Sequence, residues 1–244
     1  NLWFGTDRGL SRFKDGKFSI YSTREGLAPN VVVAISEDRS GNLWIGTEGG
    51  GLHCMKDGKI KRYTTHSGLS NDFVRAIHED KNKNLWIATD HGLNLWQEGK
   101  FRIFTTREGL VNDELTQLYE DRAGALWIAS RTGGLTRLQN GEFTAFTKAQ
   151  GLSSNLVRVI YEDAAATLWI GTNGGLNRFK DGKFTRYTTK ESLFDDLIFQ
   201  ILEDRRGDIF VSLPKRTFSG GQQPMGEPAR RQKTNLTLPA SRQS

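Results

Sequence analysis

Two arginines occupy equivalent positions in a repeated segment of this chain, where the other copies carry different residues. The position holds Val33, Arg75, Thr116, Arg158 and Phe199, and the loop that follows it also varies, as Asp7-Arg8, Glu48, Asp90-His91, Arg131-Thr132 and Asn173. An arginine can bind a carboxylate or a sugar through its planar set of donors. A single asymmetric ligand needs unlike residues from successive repeats, so these positions predict a binding site. The alternative is that they are solvated loop residues. The candidate ligand-binding residues are Arg75, Thr116, Arg158, Phe199, Asp90, His91, Arg131 and Asn173.

Catalytic chemistry has less support in the sequence. The four histidines, His53, His66, His78 and His91, show no metal-ligand spacing. Most carboxylates recur in every repeat, which is typical of turn residues rather than of one active site. We therefore predict no catalytic residue, no metal and no cofactor. A propeller lyase or hydrolase that uses Asp90-His91 remains a further alternative.

The candidate residues are positioned by a repeat of about forty residues. The phrase Asn42-Leu43-Trp44-Ile45-Gly46-Thr47 recurs with tryptophans at Trp3, Trp86, Trp127 and Trp169, spaced by 41 or 42 residues. Such a period indicates an array of identical supersecondary units.

Each unit reads as four short antiparallel strands. Turn pairs such as Asp57-Gly58 and Asp181-Gly182 join segments in which apolar and polar residues alternate. The tryptophan phrase supplies another strand, and the segment at 73–78 predicts the innermost one. Four such strands per period, with no helical pattern, predict an all-β fold, a β-propeller of four-stranded blades.

The residues that recur in every unit have structural interpretations. The tryptophans are predicted to pack between neighbouring blades. Glu-Asp pairs such as Glu37-Asp38 are predicted to form turns on the face opposite the ligand. Short Asx side chains are predicted to cap the loops that enter the innermost strands, at Asn30, Asp72, Asp113, Asn155 and Asp196.

The segment Gly68-Leu69-Ser70-Asn71-Asp72-Phe73-Val74-Arg75-Ala76-Ile77-His78-Glu79-Asp80, followed by Asn84-Leu85-Trp86-Ile87-Ala88-Thr89, resembles the two-component regulator propeller repeat. The pattern recurs at 26–47, 109–130, 151–172 and, degraded, at 192–212. The resemblance implies a sensor propeller outside the cytoplasmic membrane, ahead of a transmembrane helix and a histidine kinase or another output domain. It implies ligand sensing without naming the ligand.

The repeats predict one propeller over 1–212, with about five blades present. Rings in this family are usually seven-bladed, so we expect a piece of a larger ring, although closure with five blades is an alternative. An open piece is expected to be marginally stable or to associate. The predicted blades are 1–23 (partial), 30–65, 72–106, 113–147, 155–189 and 196–212 (partial).

Composition limits the partner classes. The net charge of +6 lies mostly in the tail 213–244, which has six basic residues and one acidic residue, Glu227. The repeats are therefore nearly neutral, and we predict no nucleic-acid partner.

The tail is expected to be disordered or to result from a reading-frame shift. Cys54 is the only cysteine, so no intrachain disulfide can form. The sequence contains no apolar segment long enough to span a membrane. We therefore expect membrane attachment only through a segment outside this sequence.

The function predicted from the sequence is that of a periplasmic or otherwise extracytoplasmic input domain, without enzymatic activity of its own. The expected partners are a small-molecule or oligosaccharide ligand and a kinase or other output domain, with a dimer possible in the full-length receptor. The alternative is a stand-alone propeller that binds a protein, a peptide or a glycan.

Overall fold

The computed structural model describes residues 1–28 and 31–212. Asn30 and the tail 213–244, on which two of the sequence predictions fall, lie outside these residues. The described chain contains β-strands and short 3₁₀ turns but no α-helix, so the prediction of an all-β propeller with four-stranded antiparallel blades is confirmed. It divides into two compact units, residues 1–147 and 148–244. None of its helical segments is long and apolar enough to cross a membrane.

Unit 1 contains four blades, each an antiparallel sheet whose strands pair in chain order. The first blade has β1 (Leu2–Thr6), β2 (Gly9–Lys14) and β3 (Lys17–Tyr21). The second has β4 (Val32–Glu37), β5 (Leu43–Thr47), β6 (Gly51–Lys56) and β7 (Lys59–Tyr63). The third has β8 (Val74–Glu79), β9 (Leu85–Thr89), β10 (Gly92–Gln97) and β11 (Lys100–Phe104). The fourth has β12 (Leu115–Glu120), β13 (Leu126–Ser130), β14 (Leu135–Gln139) and β15 (Glu142–Phe146).

Unit 2 continues the same pattern. The fifth blade has β16 (Val157–Glu162), β17 (Leu168–Thr172), β18 (Gly175–Lys180) and β19 (Lys183–Tyr187). The sixth sheet has two described strands, β20 (Gln200–Glu203) and β21 (Ile209–Ser212). Single 3₁₀ turns follow several blades, at Thr23–Glu25, Thr65–Ser67, Lys148–Gln150 and Thr189–Glu191.

The hairpin that leads into the last strand of each of the first five blades has the predicted turn chemistry. In all five copies the first turn residue has φ of 49–52° and the following glycine has φ of 75–83°. Two consecutive positive φ values define the type I′ turn, whose twist matches that of the strands it joins.

The aspartate of each Glu-Asp pair organises the turn between the first two strands. Asp80 accepts the backbone N–H groups of Asn82 and Asn84 through Oδ1. Its Oδ2 accepts the side-chain amide of Asn84 and the indole N–H of Trp86, at 2.8 and 2.9 Å. The same aspartate–tryptophan bond recurs at Asp38–Trp44, Asp121–Trp127 and Asp163–Trp169.

The glutamate of the pair has a different role from the one predicted. Glu79 Oε2 accepts the backbone N–H of Arg39, which lies in the turn of the preceding blade, at 3.0 Å. Glu120 accepts the N–H of Lys81 in the same way, and in unit 2 Glu203 accepts that of Ala164. The prediction of turn formation is thus right for the aspartate and wrong for the glutamate, which joins adjacent blades because its longer side chain reaches the neighbouring turn.

Neighbouring blades pack through the tryptophan strand, as predicted. Trp44 is buried in one cluster with Val74, Leu85 and Ile87 of the next blade. Gly46 of the same strand allows this approach, because a Cβ there would lie 2.6 Å from Val74 Cγ1. The tryptophan of the phrase is therefore a core residue rather than a ligand platform.

The predicted Asx caps are also present. Asp72, Asp113, Asn155 and Asp196 each accept, at 2.6 to 2.8 Å, a backbone N–H from the 3₁₀ or turn segment seven residues earlier: Thr65, Thr106, Lys148 and Thr189. These side chains fix the loops that enter the inner strands.

His53 stands out because it is fully buried on β6. Neither ring nitrogen has a hydrogen-bond partner among the described residues. Burial, together with the nearby charge of Arg62, lowers the pKa of His53 to about 4, although backbone groups of Ala28 and Ile45 partly oppose the shift. Two other blades place Asn94 and Asn177 at this position, where they bond the loop that enters the inner strand.

We expect Asp80→Asn to destabilise the protein by about 2–4 kcal/mol, because an amide nitrogen then faces donors that the carboxylate accepted. Urea unfolding followed by tryptophan fluorescence measures this. Asp57→Asn, in an exposed hairpin turn that asparagine tolerates, is the matched control and should change stability by no more than about 0.5 kcal/mol. Equal effects of the two substitutions would refute the assigned role of Asp80.

The buried His53 predicts a loss of stability in mild acid. Its folded pKa lies below the unfolded value of 6.5, so its contribution is complete above pH 6.5 and falls as the pH drops toward 4. His53→Asn, which introduces the residue of the third and fifth blades, should remove this dependence. Between pH 7 and pH 4 the wild type should lose on the order of 3 kcal/mol more than the variant. Parallel stability–pH curves would contradict the prediction.

Candidate functional site

The variable position of the inner strands is a β-bulge. The pairing of the first two strands skips one residue in the second to fifth blades, and the skipped residues are Val33, Arg75, Thr116 and Arg158. A bulge bends the strand and redirects one side chain. The backbone therefore presents the four variable residues in one repeated geometry. Phe199 aligns with them in the sixth sheet, just before β20.

In unit 1, Arg75 lies within a set of carboxylates. Its Nε and Nη2 donate to the two oxygens of Asp90 at 2.7 and 2.6 Å, and its Nη1 donates to Glu48 at 3.1 Å. The guanidinium also lies 5.6 Å from the centre of the exposed Phe73 ring. These bonds, above all those that Arg75 donates to Asp90, raise the pKa of Arg75 above its ordinary value, so the side chain stays charged.

Arg131 extends the set into the fourth blade. Its Nε lies 3.1 Å from Glu114 Oε2, and its Nη2 lies 3.9 Å from Asp90 Oδ1. Asp90 is thus shared by two arginines. Glu48, Arg75, Asp90, Arg131 and Glu114 form a chain of alternating charges across three blades, which we call the ion-pair ladder.

Two further candidates lie on the same elements as the ladder. Thr116 directs its hydroxyl inward, to the carbonyl of Ala129 at 3.3 Å. His91 is exposed, and its backbone N–H donates to Thr89 Oγ1. The structure therefore brings Arg75, Asp90 and Arg131 together, whereas the Thr116 side chain is used by the backbone.

Unit 2 holds a separate group of three candidates. Arg158 Nε donates to Asn173 Oδ1. The guanidinium lies 4.8 Å from the centre of the Phe199 ring, which is exposed. Asn173 is fixed by its backbone N–H, which donates to the Leu156 carbonyl. A cation held over an aromatic ring in this way offers both a charged and an apolar surface.

The ladder restricts what unit 1 can bind. An anionic ligand at Arg75 must displace Asp90, which would leave that partly buried carboxylate without its partner. The formal charge of the five side chains is negative, and Glu48 and Glu114 are about half exposed. The ladder therefore favours neutral, hydroxyl-bearing groups over carboxylates.

Glu114 and Phe73 are absent from the sequence-predicted site, although both contact it. They occupy the same position, one residue after the Asx cap, where the fifth blade has Leu156. The sequence could have indicated this position, because its residue type differs from repeat to repeat. No group of three or more His, Cys, Asp or Glu side chains within residues 1–28 and 31–212 is placed to hold a metal ion.

Comparison with known proteins supports the family resemblance. The profile of the two-component regulator propeller family matches residues 26–49 and 68–91. A search of curated proteins found no match.

Solved structures with a similar fold include two kinds of protein that bear on the function. The first kind is extracellular domains from B. thetaiotaomicron that are assigned to two-component or one-component systems. BT3049 is 24% identical with a TM-score of 0.56, and BT4673 is 20% identical with a TM-score of 0.61. Each match covers 86% of this chain, which spans only 36% and 38% of those two chains.

The second kind is an enzyme. An inactive variant of virginiamycin B lyase from Staphylococcus aureus, solved with quinupristin, is 18% identical with a TM-score of 0.65. That match covers 86% of this chain and 72% of the lyase. At these identities the structural likeness shows the fold alone, and the family resemblance rests on the sequence profile. Residues 26–49 and 68–91 therefore match repeats of the two-component regulator propeller family.

Proposed function

We propose that this chain is a ligand-binding input region of an extracytoplasmic sensor that controls a kinase or another output domain. The family profile supports the sensor assignment, and the fold likeness to extracellular domains supports the location. In this proposal the chain has no catalytic activity of its own, and the full-length receptor works as a dimer.

The repeated β-bulge is the observation that carries the binding role. Within unit 1 the sheets hold unlike side chains, such as Arg75 and Thr116, in the same geometry, as a site for one asymmetric ligand requires. Binding sites are commonly made of variable residues on a fixed scaffold.

The ligand class follows from the chemistry of the two groups. The ladder of unit 1 offers Glu48 and Glu114 as acceptors and favours a neutral, hydroxyl-bearing ligand. Arg158 and Phe199 in unit 2 offer a donor and an apolar face. A small oligosaccharide or a similar polar small molecule fits either group taken by itself.

A protein or peptide partner is the second candidate, because exposed apolar side chains lie near the charged ones. Val33 and Phe73 are both about two-fifths exposed beside the ladder. Apolar anchors with a charged surround are also typical of protein interfaces. This alternative corresponds to a stand-alone binding propeller.

The test begins with a thermal-shift screen of neutral oligosaccharides, uronic-acid oligosaccharides and short peptides. For the compound that stabilises the protein most, we expect Arg131→Ala or Arg158→Ala to weaken binding by about tenfold or more, measured by calorimetry. Arg131 is half exposed, so its substitution should leave the fold intact.

Arg102→Ala in unit 1 and Arg186→Ala in unit 2 are the matched controls. Both arginines are exposed on outer strands away from the bulges. Unchanged affinity in both site variants would remove the binding face from the proposal. Stabilisation by peptides alone would favour the second candidate.

A further inference from the structure

A cleft of about 540 Å³ lies between the second and third blades of unit 1. It is on the side of the blades where the Asp38 and Asp80 turns lie, at the other end of the inner strands from the bulges. Its walls include Trp44 and Trp96. The volume is within the usual range for ligand sites. No residue of the ion-pair ladder lines it, so it is distinct from the site proposed above.

The cleft is lined by residues that set the third blade apart from the others. Trp96 stands where other blades have Phe13, Met55, Leu138 and Phe179. Lys83 stands where they have Gly41, Gly124, Ala166 and Gly207. Lys83 adopts φ of 66°, a conformation that costs a lysine more than a glycine. As at the bulges, repeated backbone positions here carry a residue type that the other blades lack.

Trp96 is held in place but keeps an unused donor. Its ring packs against Tyr63 and Phe101, with centroids 4.7 and 4.6 Å apart. The indole N–H groups of Trp44 and Trp86 donate to aspartates. By contrast, the indole N–H of Trp96 has no acceptor in the described part of the chain. A half-buried ring with an unused donor can contact a ligand and also donate to it.

The charge of the lining is negative. Three carboxylates line the cleft, those of Asp38, Glu79 and Glu98, and one cationic side chain, that of Lys83. Burial would raise the pKa of Asp38, but hydrogen bonds from Asn42, Trp44 and Ser40 outweigh it and lower the pKa, so this carboxylate stays ionised. Arg39 lies 3.8 Å from Glu79 and offsets part of the charge. When Arg39 is included, the lining keeps one net negative charge. This charge lies beside the ring of Trp96.

We propose that this cleft binds a lysine or arginine side chain in a basic peptide segment of a partner protein. The cationic group lies among Glu79, Glu98 and Asp38. The Trp96 ring contacts the alkyl stem or the charged group, and its indole N–H donates to a peptide carbonyl. A cation near an aromatic face and carboxylates gains from both.

The probe is the tripeptide acetyl-Gly-Arg-Gly-amide, with acetyl-Gly-Glu-Gly-amide as its counterpart. The full chain is labelled with 5-fluorotryptophan and observed by ¹⁹F NMR. Trp96→Phe identifies the Trp96 resonance, and it is tolerated because Phe13 and Phe179 occupy the same position elsewhere. We expect the arginine peptide to shift this resonance saturably, with weaker binding at high salt, and the glutamate peptide to leave it unchanged.

Two substitutions test the charge assignment. Glu98→Gln should weaken binding of the arginine peptide by about three- to fivefold, because one exposed ion pair is worth up to about 1 kcal/mol. Lys83→Gly should strengthen it, because it removes the opposing charge from the lining.

Asp57→Asn is the matched control for Glu98→Gln. It removes the same charge from the equivalent turn of the second blade, outside the cleft, and should leave the affinity unchanged. The proposal is overturned if the Trp96 resonance does not move, if the glutamate peptide binds equally, or if Glu98→Gln and Asp57→Asn have the same effect.

Discussion

The carboxylate of the aspartate after each first strand holds the blade together. One oxygen accepts the backbone of the turn, and the other accepts the indole of the second strand, as at Asp80 and Trp86. A buried carboxylate costs free energy unless its oxygens are satisfied, and here four donors satisfy them. The bond to Trp86 also fixes the ring that packs against the next blade. The same group therefore sets the turn, the strand register and the inter-blade core.

This arrangement separates two kinds of surface at opposite ends of the inner strands. At the aspartate end, the glutamate side chains bond the turn of the preceding blade, as Glu79 does with Arg39, so the chemistry there repeats and stabilises. At the other end, the β-bulge leaves one residue per blade outside the pairing of the first two strands. That residue varies because neither the core nor the sheet restricts its type. The variable bulge residues and the repeated glutamate bonds thus lie at opposite ends of the same strands.

The sequence predicted the repeating part of the structure well. Turn glycines, alternating strands and the Trp phrase are local signals, and each repeats several times, so the blade and its strand order followed directly. The glutamate bonds were missed because they join residues about forty positions apart, as Arg39 and Glu79 are. The bulge was missed because one extra residue barely disturbs an alternating pattern. The ladder depends on side chains from three blades, and only coordinates show that Asp90 is shared by Arg75 and Arg131.

A blade braced in this way limits how a ligand could act on a neighbouring domain. Turn, core and strand register are fixed by buried hydrogen bonds, and closely packed interiors do not deform continuously. A ligand at the bulges would therefore rearrange side chains rather than bend the sheet. The ladder is the part of unit 1 suited to such a change, because a ligand group that takes a place beside Asp90 alters the pairing of Arg75 and Arg131 together. A ligand shifts an equilibrium only by its difference in affinity for two states. In unit 1 that difference would arise from the pairing of Asp90 with Arg75 and with Arg131.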